Sequence, residues 1–151
     1  MTGVDTVIDV GANRGQFVHE LRRDGWRGPI VSIEPLPGAY AALADRASHD
    51  RLWTTVNVAA GAARGVANLK IAENEASSSL LAMHGRHRAA APASRFVESI
   101  DVVVDTIDSI VAERHVGGTF YMKIDTQGYE LEVLRGASST IDACAAIELE
   151  L

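Results

Sequence analysis

What most restricts the fold of this chain is an alternation. Short β-branched runs each pass straight into a turn and then into an amphipathic segment. Val7-Ile8-Asp9-Val10 leads directly into Gly11-Ala12-Asn13-Arg14-Gly15, after which Phe17, Leu21 and Trp26 are interleaved with His19, Glu20, Arg22 and Arg23. Apolar residues at that spacing give a helix with one buried face, and Asp24-Gly25 and Arg27-Gly28-Pro29 stop it. Residues 30–33 predict a second strand, residues 37–48 a helix with Tyr40 and Leu43 inward, and residues 53–58 a third strand. Strands joined by short helical connections predict an α/β fold: a parallel sheet with helices on both faces.

The second half continues the pattern less regularly. Residues 66–72 read as an extra strand, and residues 73–95, rich in Ser and Ala, as a loop or short helix. Residues 102–104 read as a strand, with Asp105-Thr106 capping a helix over 107–114. Residues 119–124 predict a strand ending at Asp125, residues 130–135 a helix stopped by Gly136, and residues 145–151 a last strand. Ile147, Leu149 and Leu151 would share one face of that edge strand, which invites pairing with a second copy of the chain. At 151 residues the expectation is one domain.

Charge and composition narrow the function. The net charge is −6 with no Lys/Arg run, which argues against a nucleic-acid partner. No apolar stretch reaches the roughly 18 residues of a membrane span. The N-terminus lacks signal-peptide character, and the lone Cys144 calls for no oxidising compartment, so a cytoplasmic setting is expected. High Ala, Arg and Gly usage suggests a bacterial source.

Gly11 and Gly15 sit in a strand-to-helix turn, where glycine accepts positive φ and lets a ligand approach the backbone. The helix start that follows favours an anionic group. Glu34 lies 19 residues after Gly15, at the end of the second strand. That is about where nucleotide-binding α/β folds place an acid for ribose hydroxyls. The alternative is that the glycines only shape a turn and Glu34 is a solvated strand end; the combination and its spacing argue against it. A dinucleotide turn needs G-x-G-x-x-G, and here Asn13 and Gln16 stand where the second and third glycines belong. This counts against an NAD-dependent oxidoreductase domain, which stays an alternative. The remaining common ligand with a ribose and one compact anion is S-adenosylmethionine, its carboxylate at the helix start and Asn13 helping to hold the polar end.

A second constellation, Lys123-Ile124-Asp125-Thr126-Gln127-Gly128-Tyr129-Glu130, surrounds another strand-to-helix turn. Open parallel sheets bind ligands at the carboxyl ends of their strands, so Asp125 would face the same crevice as Gly11 and Glu34. Its structural alternative is a helix N-cap, and Glu130 reads as a structural acid in the first helical turn. Asp125 is the candidate base for an acceptor hydroxyl, with Lys123 or Tyr129 orienting it. Mg²⁺ between Asp125 and Glu150 is a less favoured option, and His84-x-x-His87 reads as solvated rather than metal-binding. No metal ligand set is assigned. Cys144 reads as a packing residue.

With these residues in place the chain resembles the FkbM-type family of S-adenosylmethionine-dependent O-methyltransferases. The matching stretches are residues 7–15, Ile33-Glu34-Pro35, residues 57–61, Ser77-Ser78-Ser79-Leu80, residues 104–108 and residues 123–136. The last, K-I-D-x-Q-G-Y-E-x-x-V-L-x-G, is the most specific. The resemblance implies a class I methyltransferase (Rossmann-like) fold: a doubly wound, mainly parallel sheet, here without the closing C-terminal strands. It also implies that Asp9, Gly11, Asn13, Gly15 and Glu34 match cofactor positions. Asn57 matches a position near the adenine, and Asp125 the acid beside the reacting centre. The implied acceptor is a hydroxyl of a sugar, glycolipid or natural product. Relatives continue past the strand ending at Leu151 into an acceptor-binding loop, so a remnant that folds without catalysing is the other alternative.

Overall fold

The computed structural model describes residues 3–72 and 96–150. Its centre is β1 (Thr6–Val10), whose β-branched residues are buried on both faces, as a central parallel strand requires. The loop after it leads into α1 (Gln16–Arg23), then β2 (Ile30–Ile33), α2 (Pro37–Ala47) and β3 (Trp53–Val56). The later part of the chain adds α3 (Ile107–Glu113), β7 (Phe120–Ile124), α4 (Glu130–Arg135), α5 (Ser138–Asp142) and β8 (Cys144–Leu149). These strands form one all-parallel sheet in the order β3-β2-β1-β7-β8. The fold is thus the parallel α/β architecture that the alternation predicts, and the Rossmann-like one that the resemblance implies. Among the described residues, no helix is long and apolar enough to cross a membrane.

Alternate residues of β1 feed the two faces. Ile8 and Val10 join Ile33, Met122 and Ile124 under α3, α4 and α5, with Ile107, Ile110 and Val133 pointing in from those helices. Val7 packs instead with Val18 of α1 and with Ile30, ringed by Phe17, Leu21, Trp26 and Trp53. The chain winds outward through β2 and β3, then returns to the other side of β1 as β7. The boundary between β1 and β7 is therefore the switch point at which open sheets form a ligand crevice.

A second sheet departs from the expected plan. The third strand ends at Val56 rather than running through residue 58, because Asn57 turns its amide back to donate to the carbonyls of Glu34 and Pro35. The chain then forms β4 (Ala59–Ala60), which pairs in parallel with β6 (Phe96–Asp105). β5 (Gly65–Ala72) lies antiparallel along β6 on its other side. The strand foreseen at 102–104 is thus the end of a longer one. Ala67, Leu69, Val102 and Val104 face inward against Leu36 and Ala39, at the start of α2. Their neighbours Val66 and Val103, paired in register, face outward. The expected loop over 73–95, with the Ser77-Ser78-Ser79-Leu80 match and His84-x-x-His87, lies outside the described residues.

Helix ends follow their sequence signals closely. Thr106 caps α3, its hydroxyl accepting from the Ser109 amide at 3.1 Å. Cys144 is half-buried against the core, and its thiol donates to the Thr140 carbonyl. Asp108 supports α5, which the sequence pattern did not show. Its carboxylate accepts from the Ser139 and Thr140 amides at 3.0 and 2.8 Å and from the Ser138 and Thr140 hydroxyls. Partial burial raises its pKa, but these four donors outweigh that and hold the carboxyl below its usual range. Asp108→Ala is expected to cost about 2 kcal/mol, since it removes a cap and leaves the buried Thr140 unpaired. The loss, read from urea midpoints, should be full at pH 7 and shrink as pH falls through the native pKa, where the wild type also loses the ion.

Candidate active site

At the carboxyl ends of β1, β2 and β7 lies a crevice of about 660 Å³, counting its open mouth. Val10, Ile33, Leu36, Ala60 and Leu69 give it an apolar floor and wall, the last two contributed by the second sheet. Its polar groups are Asn13, Glu34, Asp125, Thr126 and Gln127, with Gly11 between them. The first loop is pinned to β2, for the amides of Gly11 and Ala12 both donate to the Ile33 carbonyl. Glu34, only 5% exposed, completes the attachment. One of its oxygens accepts from the Asn13 amide and the other from the Leu36 amide, each at 2.8 Å. Burial pushes the Glu34 carboxyl above its ordinary pKa, while those two amides favour the ion.

The β7 side is built around a second carboxylate. Asp125 accepts from the Gln127 side-chain amide at 2.7 Å through one oxygen and from the Lys123 ammonium at 3.3 Å through the other. The same ammonium lies 3.1 Å from Glu150, just past β8, and 5.6 Å above the Phe17 ring. Burial disfavours that charge, but Glu150 and Asp125 together raise the Lys123 pKa above its usual value. Gln127 is left-handed (φ 52°), and Glu130 holds the turn around it. The Glu130 carboxylate accepts from the Gly128 and Thr126 amides and from the Thr126 hydroxyl. Burial raises the Glu130 pKa, yet those bonds prevail and bring it below the usual range.

The Methyltransferase FkbM domain family matches residues 9–150, which takes in both loops and every strand of the parallel sheet except the first residues of β1. The chain belongs to the FkbM methyltransferase family. A solved structure similar in fold is that of Methyltransferase FkbM from Methylobacillus flagellatus KT. The TM-score is 0.59 at 20% sequence identity, over 91% of this chain and 30% of that one. This chain therefore spans under a third of that neighbour's length. No curated protein matches it.

Within this FkbM domain, four of the residues expected at the site line one crevice: Gly11, Asn13, Glu34 and Asp125. The others stand behind it or away from it. Asp9 is 1% exposed and points to the α1 side of the sheet, where the Ser32 hydroxyl donates to it. Gly15 starts α1 at φ 83°, and a Cβ there would meet the Trp53 ring at 2.7 Å, so packing alone accounts for it. Asn57 braces the exit of β2. Lys123 reaches Asp125 from outside the lining. Tyr129 packs against two apolar clusters, and the structure does not bring it to Asp125.

Two of the less favoured alternatives fall away. The space between Asp125 and Glu150, considered for Mg²⁺, holds the Lys123 ammonium. Among the described residues no group of three or more His, Cys, Asp or Glu is placed to hold a metal. The N-cap reading of Asp125 also fails, because α4 begins five residues later and its first turn is served by Glu130. The sequence pattern missed the roles of Gln127 and of the second sheet. The signal for Gln127 was its place two residues after Asp125 and directly before Gly128, in a strand-to-helix turn.

Proposed function

We infer that this FkbM-family chain binds S-adenosylmethionine in the crevice and serves O-methylation of a hydroxyl on a sugar, glycolipid or natural product. Glu34 carries the reading. Its carboxylate meets the first loop at Asn13 and borders the same space as Gly11 and Asp125. Each oxygen takes one backbone amide and keeps a lone pair for ribose hydroxyls. The apolar floor suits an adenine. Among the described lining residues there is no Lys, Arg or His. A pyrophosphate would thus enter against two carboxylates, with the Asn13 side chain where a glycine belongs, which counts against the dinucleotide alternative.

When bound, S-adenosylmethionine supplies a methyl group activated by a sulfonium. The chain holds and orients the partners, which can be worth roughly 7–11 kcal/mol of barrier. Asp125 is the group at the rim able to accept the proton of an acceptor hydroxyl. Lys123, with its raised pKa, keeps its own proton and fixes the carboxylate. A cytoplasmic, bacterial setting belongs to the same reading and rests on the lone cysteine and the composition.

Calorimetric titration tests it. S-adenosylhomocysteine should bind at about micromolar Kd or tighter, with no detectable heat from NAD. Glu34→Ala should weaken that binding about 30-fold or more, since hydrogen bonds to a charged group are worth about 1.5–3 kcal/mol each. Tight NAD binding without S-adenosylhomocysteine binding would overturn the reading.

A further inference from the structure

Lys123 and Asp125 form a directed pair. The carboxylate lines the crevice, whereas the ammonium stands behind it over Phe17, outside the lining. The pair therefore presents its negative end to the ligand. The neutralisation is incomplete, because the same ammonium also serves Glu150 at 3.1 Å. Gln127 donates to the other Asp125 oxygen and so fixes the carboxylate without adding charge. Glu34 supplies a second carboxylate in the lining. Lys123 divides itself between Asp125 and Glu150, and among the described lining residues no cation offsets the Asp125 and Glu34 carboxylates. The apolar floor keeps the local dielectric low, so an imbalance of this kind is felt across the crevice.

We propose that the crevice selects for positive charge: Asp125, aimed by Lys123 and Gln127 but sharing its counter-ion with Glu150, favours a cationic ligand centre over the neutral form of the same molecule. The proposal rests on the S-adenosylmethionine reading and adds a preference for the charged sulfonium state over the neutral thioether left after transfer. Asp125 is the specificity-determining residue, and Lys123, Gln127 and Glu150 position it and set its charge.

The test compares two nucleosides that differ at this centre. S-adenosylhomocysteine is a neutral thioether there, and sinefungin carries an ammonium in place of the methylsulfonium. Titration of the whole chain with each should show sinefungin binding tighter by about tenfold or more. Asp125→Asn should bring the ratio close to one, with the loss falling on the sinefungin side. Glu150→Gln, at an exposed position, leaves the ammonium wholly to Asp125 and should lower the ratio part-way. Its thermal unfolding midpoint should stay near that of the wild type. If both nucleosides bind with equal affinity, or if the ratio survives in Asp125→Asn, charge selection is wrong while the cofactor reading stands. Binding of neither overturns both.

Discussion

Asp9→Asn should make the protein more stable at pH 8 and remove much of its pH dependence between pH 5 and 8. Asp9 occupies the middle of a polar row that crosses the parallel sheet in register, Thr55–Ser32–Asp9–Lys123–Glu148. Trp53 donates to the Ser32 hydroxyl at 2.9 Å, and Ser32 donates to Asp9 at 3.1 Å. Burial pushes the Asp9 carboxyl up to about 7, against the pull of Ser32 and Lys123 and with help from Glu34 and Asp125. In the unfolded chain an aspartate releases its proton near pH 4. The native state therefore holds a proton that the unfolded state lacks between about pH 4 and 7. Its contribution to stability is full below that window and lost as pH rises through it. Three pH units correspond to about 4 kcal/mol at most. Asparagine keeps an acceptor for Ser32 and never ionises, but it gives up the attraction to Lys123. The expected net gain at pH 8 is about 2 kcal/mol. Urea unfolding of wild type and variant at pH 5, 6.5 and 8 reads the difference directly. A difference that stays constant across that range would show that Asp9 is already ionised in the native protein at pH 5.

Asp9 also marks where sequence reasoning reaches its limit. The alternation of β-branched runs with turns located β1, β2, β7 and their helices because those elements obey local rules. Their side chains alternate or recur on one face, and glycines and prolines mark the ends. Which face a polar residue takes is a different matter. Asp9 and Val10 are adjacent in a motif that points to a ligand, yet only Val10 reaches the crevice, since strand neighbours point oppositely. The second sheet was hidden for a related reason. Strands were legible over 66–72 and 102–104, but β4 has two residues and β6 pairs with strands distant in sequence, so no local pattern announces how they assemble. Glu34 was legible because its task is fixed by the end of its own strand. The share that Glu150 takes in Lys123 depends on the register of β8 against β7, which only the folded sheet supplies.

Gly11→Ala is expected to destabilise the fold by about 3–5 kcal/mol, a large part of a small domain's margin. The sequence pattern assigned this glycine to ligand approach, and its backbone does line the crevice, but the direction a side chain would take is filled by protein. A Cβ at Gly11 would stand 1.9 Å from the backbone oxygen of Asp125, at φ 79°. The obstacle is not a side chain that can swing aside. The Asp125 amide donates to the Val10 carbonyl at 2.9 Å, so moving the Asp125 peptide breaks the last link between β1 and β7. It also shifts the turn that Glu130 holds. Gly25 separates the two causes, because it is left-handed as well (φ 101°) but has nothing within 4 Å of its added Cβ. Gly25→Ala should therefore cost only the conformational part, about 1 kcal/mol. Denaturant midpoints for both variants give the comparison, and equal losses would mean that the β1 loop and the Asp125 turn are not held in contact. The expected gap between them assigns Gly11 a task that precedes any ligand. It lets the two loops that carry Glu34's partner and Asp125 lie close enough to border one crevice.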